Sequence, residues 1–171
     1  NILIQNASTV GALDLKIQNK DKNNFEFFEN IENNKFKLLY LLNSDNLKFE
    51  KNNEFVIYQG SHGDRGAEIA DVILPSAAYT EENGFYQNLE GRVQECRKAS
   101  YPAGEALESW KVLNKLTNAY KNKNLFSSFN TLRDEVLEKI VNFESLNKLP
   151  KYKEPSKKVN NNFEKESVFI N

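Results

Sequence analysis

The 171-residue chain has one cysteine, one histidine, four prolines and no methionine. A lone cysteine cannot close an internal disulfide, and it cannot assemble a four-thiolate zinc site or an iron–sulfur cluster. No basic surplus exists either: 23 Lys and Arg face 24 Asp and Glu, for a formal charge of -1. Without an excess of cations to hold a phosphate backbone, nucleic acid is disfavoured as a partner. Long hydrophobic runs are also missing. Mean hydropathy is -0.67, and the longest uninterrupted apolar stretches, about five residues, fall far short of the roughly 20 needed for a membrane span. Glycine is scarce, at seven residues, but six of them lie between Gly60 and Gly104. That stretch is where the backbone must turn sharply or pass close to a neighbour.

What the chain has in excess is asparagine, with 25 residues, and lysine, which outnumbers arginine about five to one. Both have A-rich codons, which points to an AT-rich genome, organellar or parasite-like. The two residue types crowd Leu15 to Asn53 and the region after Asn114, whereas Phe55 to Leu113 has only two asparagines, Asn83 and Asn88. The length suits one domain with a core of its own. The opening segment Asn1 to Val10 has neither the Arg-rich character of a transit peptide nor the apolar run of a signal peptide. With no methionine at its head, the chain is expected to be a portion of a longer polypeptide.

Three short apolar runs lack the alternation of a half-exposed strand and suit a parallel sheet buried on both faces. They are Lys37 to Leu42, Phe55 to Tyr58 closed by Gly60, and Val72 to Leu74 closed by Pro75. Helices are needed to cover them. Leu107, Trp110, Leu113, Leu116 and Tyr120 recur at helical spacing over 105–120, and Phe129, Leu132, Val136, Ile140 and Phe143 repeat the pattern, with Thr131 to Asp134 offering capping-box residue types. The fold class is α/β, a Rossmann-like parallel-sheet portion with two C-terminal amphipathic helices. The α/β domain is placed at 1–149, with a polar surface segment at 16–35 that includes a short helix tucked under by Phe25, Phe27, Phe28 and Ile31. An extended tail, without periodicity, follows at 150–171.

Several residues invite a functional reading. Gly60, Gly63 and Gly66, with His62 and Asp64 between them, follow a strand as a dinucleotide loop does. Yet the spacing is not G-x-G-x-x-G, and only Ala67 to Asp71 separate the loop from the next strand, about one helical turn. A tight glycine turn is expected instead of a phosphate cradle. His62 has no ligand or triad partners in a recognisable pattern, so it reads as a loop histidine bonded to backbone or to a partner chain. Asp64 beside Arg65 reads as turn chemistry with a salt bridge, and Cys96 as a plain small residue. Glu81, Glu82 and Glu90 could supply paired carboxylates, but with Arg92 and Arg97 nearby an ion-pair and hydrogen-bond network is expected, Glu90 and Arg92 tying extended backbone to the sheet.

One stretch is more specific than any of these. Ala70-Asp71-Val72-Ile73-Leu74-Pro75, then Glu81, then Asn88-x-Glu90-Gly91-Arg92-x-Gln94 resembles the molybdopterin oxidoreductase superfamily, which includes formate dehydrogenases. Tyr58-Gln59-Gly60-x-His62-Gly63-Asp64-x-Gly66-Ala67 narrows the resemblance to the C-terminal part of the large iron–sulfur subunit of respiratory complex I, as do Asn6-Ala7-Ser8, Ala12 to Leu15 and Trp110-Lys111. The similarity runs from Asn1 to about Pro150. It implies a structural role in NADH-to-quinone electron transfer, with no catalytic, cofactor-binding or metal-binding residue in this chain. The [2Fe-2S] and [4Fe-4S] clusters would belong to a cysteine-rich N-terminal part of the same subunit, which with other peripheral-arm subunits would be the partner. It further implies a mitochondrial inner-membrane complex on the matrix side, or a bacterial counterpart on the cytoplasmic side. In the molybdenum enzymes the Glu, Asn and Arg of the motif lie near the pterin. Phe85 stands where metal-binding members favour threonine, a departure that fits loss of the metal. The alternative is a fragment of a catalytic molybdopterin oxidoreductase such as a formate dehydrogenase.

Overall fold

A computed structural model describes residues 9–17, 29–44, 47, 49–139 and 146–148. Three parallel strands form its centre: β1 (Leu38–Leu42), β2 (Phe55–Gly60) and β3 (Val72–Pro75), in the spatial order β1-β2-β3. These are the three apolar runs of the sequence. Leu39 pairs with Val56 and Leu41 with Tyr58, and both pairs point to one side of the sheet. There they join Ile31, and all five side chains are buried. Phe36, Phe49, Ile69 and Ala70 pack around them.

The crossovers differ from those of a doubly wound fold. No helix is described between β1 and β2, and β2 reaches β3 through a single turn, α2 (Arg65–Glu68). The sequence there is too short for more. Ile31, expected to tuck a short helix of the surface segment under, sits in a helical turn at 29–32 and is a core residue with 1% exposure. The rest of that expectation, including Phe25, Phe27 and Phe28, lies outside the described residues, as do Ile140, Phe143 and the tail at 150–171.

After β3 comes an antiparallel hairpin, β4 (Gly84–Gln87) and β5 (Val93–Cys96), which no period in the sequence marks. A short helix near the start, α1 (Thr9–Asp14), is held to it by Gln87 Nε2 donating to Asp14 Oδ2 at 2.5 Å. Two longer helices follow, α3 (Ser109–Lys121) and α4 (Phe129–Lys139). α3 begins four residues later than its apolar stripe suggests, because Leu107 is used as a bridge residue. Its C=O accepts from Ala77 N–H at 2.8 Å and its N–H donates to Pro75 C=O at 3.3 Å, a single bridge at the C-terminal end of β3. The stripe is only partly covered: Val112 is buried, whereas Leu116 and Tyr120 are exposed.

The cap of α4 also shifts. Ser128 Oγ accepts from Thr131 N–H at 3.3 Å while Thr131 Oγ1 accepts from Ser128 N–H at 3.2 Å. This reciprocal box opens the helix three residues before the expected Thr131 to Asp134 set. Arg133 is thereby carried inside the helix, where it reaches Glu95 of β5 at 3.7 Å.

Candidate functional site

In a parallel α/β sheet, ligands bind beyond the carboxyl ends of the strands. Here those ends are Asn43, Ser61 and Ala77, and together with the start of the hairpin they line a cavity of about 350 Å³. Tyr79, Glu82, Asn83, Gly84, Phe85 and Tyr86 complete it. A larger cleft of about 590 Å³ lies between the hairpin and α4, but it is away from the strand ends. Its Arg133 is already engaged by Glu95 and Asp134.

The glycine loop is explained by an aromatic ring. Tyr58 is buried, and its ring occupies the space beside Gly60 and Gly66. A Cβ on Gly60 would run into the Tyr58 hydroxyl and ring. One on Gly66 would lie 2.6 Å from Tyr58 Cδ2 and Cε2 and 2.8 Å from the Ser44 carbonyl. Both glycines therefore permit a close approach of protein to protein, and Gly63 has open space around it. Tyr58 Oη donates to His62 C=O at 3.0 Å. The His62 ring is exposed and lies 2.9 Å from Ser61 Oγ through Nδ1. Asp64 opens α2 through its backbone C=O, its carboxylate making no cap, and Arg65 pairs with Glu50 and Glu68 instead of with Asp64.

Asp71 anchors the start of β3: Oδ2 accepts from Val56 N–H at 2.7 Å and Oδ1 pairs with Lys51 at 2.6 Å. The Lys51 ammonium and the Val56 amide hold its carboxyl below the usual carboxylate range. Pro75 ends β3 and offers its C=O to Leu107. Glu81 closes its own turn, Oε2 accepting from Ala78 N–H at 3.0 Å.

The hairpin loop corrects the expected role of Glu90 and Arg92. Asn88 organises it. Its Oδ1 accepts from Glu90 N–H at 3.1 Å and Arg92 N–H at 2.9 Å, and its N–H donates to Arg92 C=O at 3.0 Å. Gly91 adopts φ +83°, the left-handed conformation that the turn requires. Among the described residues the Glu90 carboxylate and the Arg92 guanidinium form no ion pair, and Arg92 Nε is buried without a partner. The short polar side chain of Asn88 reaches its own backbone, which a long arginine cannot do.

Other polar residues connect the elements, and Glu82 is in the hydrogen-bond network expected of it. Gln59 is fully buried on β2; its Oε1 accepts from Tyr40 Oη, and its Nε2 donates to Ser76 Oγ at 3.3 Å and Ser109 C=O at 3.1 Å. Ser76 and Ser109 hydroxyls lie 3.0 Å apart, and Ser109 donates from both N–H and Oγ to Glu82 at 2.8 and 3.2 Å. A carboxylate there suits the positive end of α3. Next to it Glu108, 4% exposed, accepts from Lys98 at 3.0 Å, Trp110 Nε1 at 2.8 Å and Lys111 at 3.2 Å. Burial pushes its carboxyl up, but the Trp110, Lys98 and Lys111 donors outweigh that, and the net direction is down. The Gln59 and Glu82 contacts span 17 to 50 residues of sequence, whereas Glu108 meets Trp110 and Lys111 locally and Lys98 ten residues back.

Chemically the strand-end cavity is a poor cradle for a pyrophosphate-bearing pterin. Its described lining contains no Lys, Arg or His; its one carboxylate, Glu82, is committed to α3, and Phe85 adds an apolar wall. α2, at four residues, offers little dipole. Among the described residues no three His, Cys, Asp or Glu side chains converge as metal ligands, and no helix is long and apolar enough to cross a membrane.

Comparison with known proteins gives a consistent set of relatives. The family described as molybdopterin oxidoreductase matches residues 1–119. The NADH-ubiquinone oxidoreductase 75 kDa subunit of Reclinomonas americana is 40% identical over 156 residues, 90% of this chain and 22% of that protein. An NADH-quinone oxidoreductase subunit of Rickettsia typhi is 47% identical over 122 residues, 71% of this chain and 17% of that protein. The mitochondrial NADH-ubiquinone oxidoreductase 78 kDa subunit of Candida albicans is 44% identical over 119 residues, 68% of this chain and 15% of that protein. The chain thus spans about a fifth of the length of these curated relatives.

Proposed function

This chain belongs to the molybdopterin oxidoreductase family, and on that premise we propose that it is a structural portion of the large iron–sulfur subunit of complex I. It supports NADH-to-quinone electron transfer without holding a redox centre. The observation that carries the reading is the Tyr58 ring filling the glycine loop beside a strand-end cavity that has no cation in its described lining. The glycine loop is filled by a protein side chain, and the cavity beside it offers no cation to a phosphate-bearing cofactor. The names of the relatives, which are NADH-ubiquinone and NADH-quinone oxidoreductase subunits, support the assignment to that complex. The iron–sulfur clusters then lie in the part of the subunit outside this chain, its partners are that part and neighbouring peripheral-arm subunits, and its place is the matrix side of the mitochondrial inner membrane.

The test is elemental analysis and a native gel. Material containing this chain is expected to co-migrate with NADH dehydrogenase activity and to contain no stoichiometric molybdenum or tungsten. Stoichiometric molybdenum would overturn the reading. One observation favours the alternative, a fragment of a catalytic molybdopterin enzyme: the buried, unpartnered Arg92 Nε is a donor awaiting an acceptor. Formate oxidation independent of NADH and quinone would establish it.

A further inference from the structure

The strand-end cavity suits an anion poorly, but its walls have a character of their own. Three of the side chains around its 350 Å³ are aromatic, Tyr79, Phe85 and Tyr86, and one is charged, the Glu82 carboxylate. Tyr79 is 69% and Tyr86 41% exposed. A single exposed tyrosine is ordinary on a protein surface. Three rings and a carboxylate around one cavity form a set. The face of each ring carries negative potential and attracts ammonium groups, most strongly where water is excluded.

The local charge has the matching sign. The cations that follow the hairpin are used elsewhere: Lys98 pairs with Glu108, and Arg97 lines the cleft between the hairpin and α4. Ser109 N–H and Oγ occupy one acceptor site on each Glu82 oxygen. A carboxylate offers about four such sites, so about two remain. The Tyr86 hydroxyl is held above its usual range, first by burial and then by the negative charge that Cys96, Glu82 and Tyr79 can carry. The second cause marks a place where an added anion is disfavoured and a cation is favoured.

We propose that the strand-end cavity receives an alkylammonium group, held among the rings of Tyr79, Phe85 and Tyr86 with its charge balanced by Glu82. A volume of about 350 Å³ is at the small end of ligand sites. It suits a compact quaternary amine or the end of a lysine side chain, and in the second case the Asn43 amide oxygen and Ser61 hydroxyl offer acceptors for N–H groups. The larger cleft is a poorer receptor, because its Arg97 and Arg133 oppose a cation as much as Glu95 and Asp134 attract one. The inference stands apart from the subunit assignment, since every residue it uses is in this chain.

Titration of the full 171-residue chain with tetramethylammonium chloride, followed by amide NMR shifts, tests the proposal. Saturable shifts are expected at Ala77, Tyr79 and 82–86. None are expected with tert-butanol or pivalate, which match the probe in shape but are neutral and negative. Tyr79→Leu and Tyr86→Leu should each weaken binding about 2- to 30-fold, the range of one cation–π contact, with the native circular dichroism spectrum retained. Glu82→Gln keeps an acceptor for Ser109 N–H and should also weaken it. Absence of saturation, an equal response to tert-butanol or pivalate, or shifts centred on Glu95 and Asp134 would overturn the proposal. Unaltered affinity in both tyrosine variants would do the same. A second titration with Nα-acetyllysine methylamide separates the sources: tighter binding than tetramethylammonium identifies a lysine side chain, and weaker binding a quaternary amine. Molybdenum content and co-migration with NADH dehydrogenase activity, which decide the subunit assignment, are moved by none of these outcomes.

Discussion

Gly66→Ala separates the structural account of the glycine loop from a phosphate-binding one. The added Cβ would lie 2.6 Å from two ring carbons of Tyr58 and 2.8 Å from the Ser44 carbonyl, where carbon atoms normally rest about 3.5–4.0 Å apart. The ring would have to move by about 1 Å. It is 1% exposed and tethered by its hydroxyl to His62 C=O, and the Ser44 oxygen belongs to backbone. Overpacking of this kind costs about 1–3 kcal/mol. Alanine recovers about 0.4–1 kcal/mol through lower unfolded-state entropy; because the Ser44 carbonyl is backbone and the ring is tethered, the overpacking lies in the upper part of its range, about 2–3 kcal/mol, leaving a net loss of about 1–2.6 kcal/mol. For a chain of this size that lowers Tm by roughly 2–8 °C, readable by circular dichroism on the purified protein. In a Tyr58→Leu background two of the three close contacts vanish, so the same substitution should cost at least about 1 kcal/mol less. An unchanged or raised Tm for Gly66→Ala, or an identical cost in the leucine background, would refute the reasoning. A phosphate cradle would behave differently, with stability kept and dinucleotide affinity lost.

Glu108 makes the protein sensitive to acid. Its folded-state pKa lies below the unfolded value of about 4.3, so its stabilisation is complete above that value and is lost as pH falls through the lower folded one. Glu108→Gln should cost about 1–2 kcal/mol at pH 7, discounted because Lys98 and Lys111 are partly exposed. It should also shallow the decline of urea stability below pH 4; an unaltered acid limb would count against this role. Asn88→Ala removes two side-chain acceptors from an exposed turn and should cost about 1 kcal/mol, with faster amide exchange at Glu90 and Arg92. Arg92→Ala should leave those two amides unchanged, and the reverse result would restore the loop-tying role to the arginine.

The strands of the sheet were legible because parallel strands carry apolar residues at consecutive positions, as in Leu38 to Leu42 and Phe55 to Tyr58. The hairpin was not. Gly-Phe-Tyr-Gln and Val-Gln-Glu-Cys are four residues each with no period, and their pairing is set by Asn88 and Gly91 in the turn between them. The start of α3 was misread because Leu107 fits the helical stripe but is drawn into a bridge with Ser76, a long-range demand that no local pattern reveals. The glycine loop was recognised as a tight turn, but the object it accommodates, the Tyr58 ring, sits on the preceding strand as an ordinary apolar residue. Gln59, Glu82 and Glu108 act on partners that lie up to 50 residues away in sequence. Their roles exist only in the fold.

Those distant contacts also explain how a site without visible chemistry stays ordered. The Ser109 hydroxyl donates to the Glu82 carboxylate, which leaves Ser76 to donate to Ser109 and Gln59 to donate to Ser76, with Tyr40 donating to Gln59. The donors all run one way, from β1 across β2 and β3 to α3, and end on a carboxylate that caps the helix. Such a chain is stable only when every member is present, since removing one leaves a buried donor or acceptor unmatched. It therefore preserves the strand-end geometry for its own sake, independent of any ligand. Its first member, Tyr40, lies on β1. A displacement of β1 is thus carried through Tyr40 and Gln59 to the start of α3.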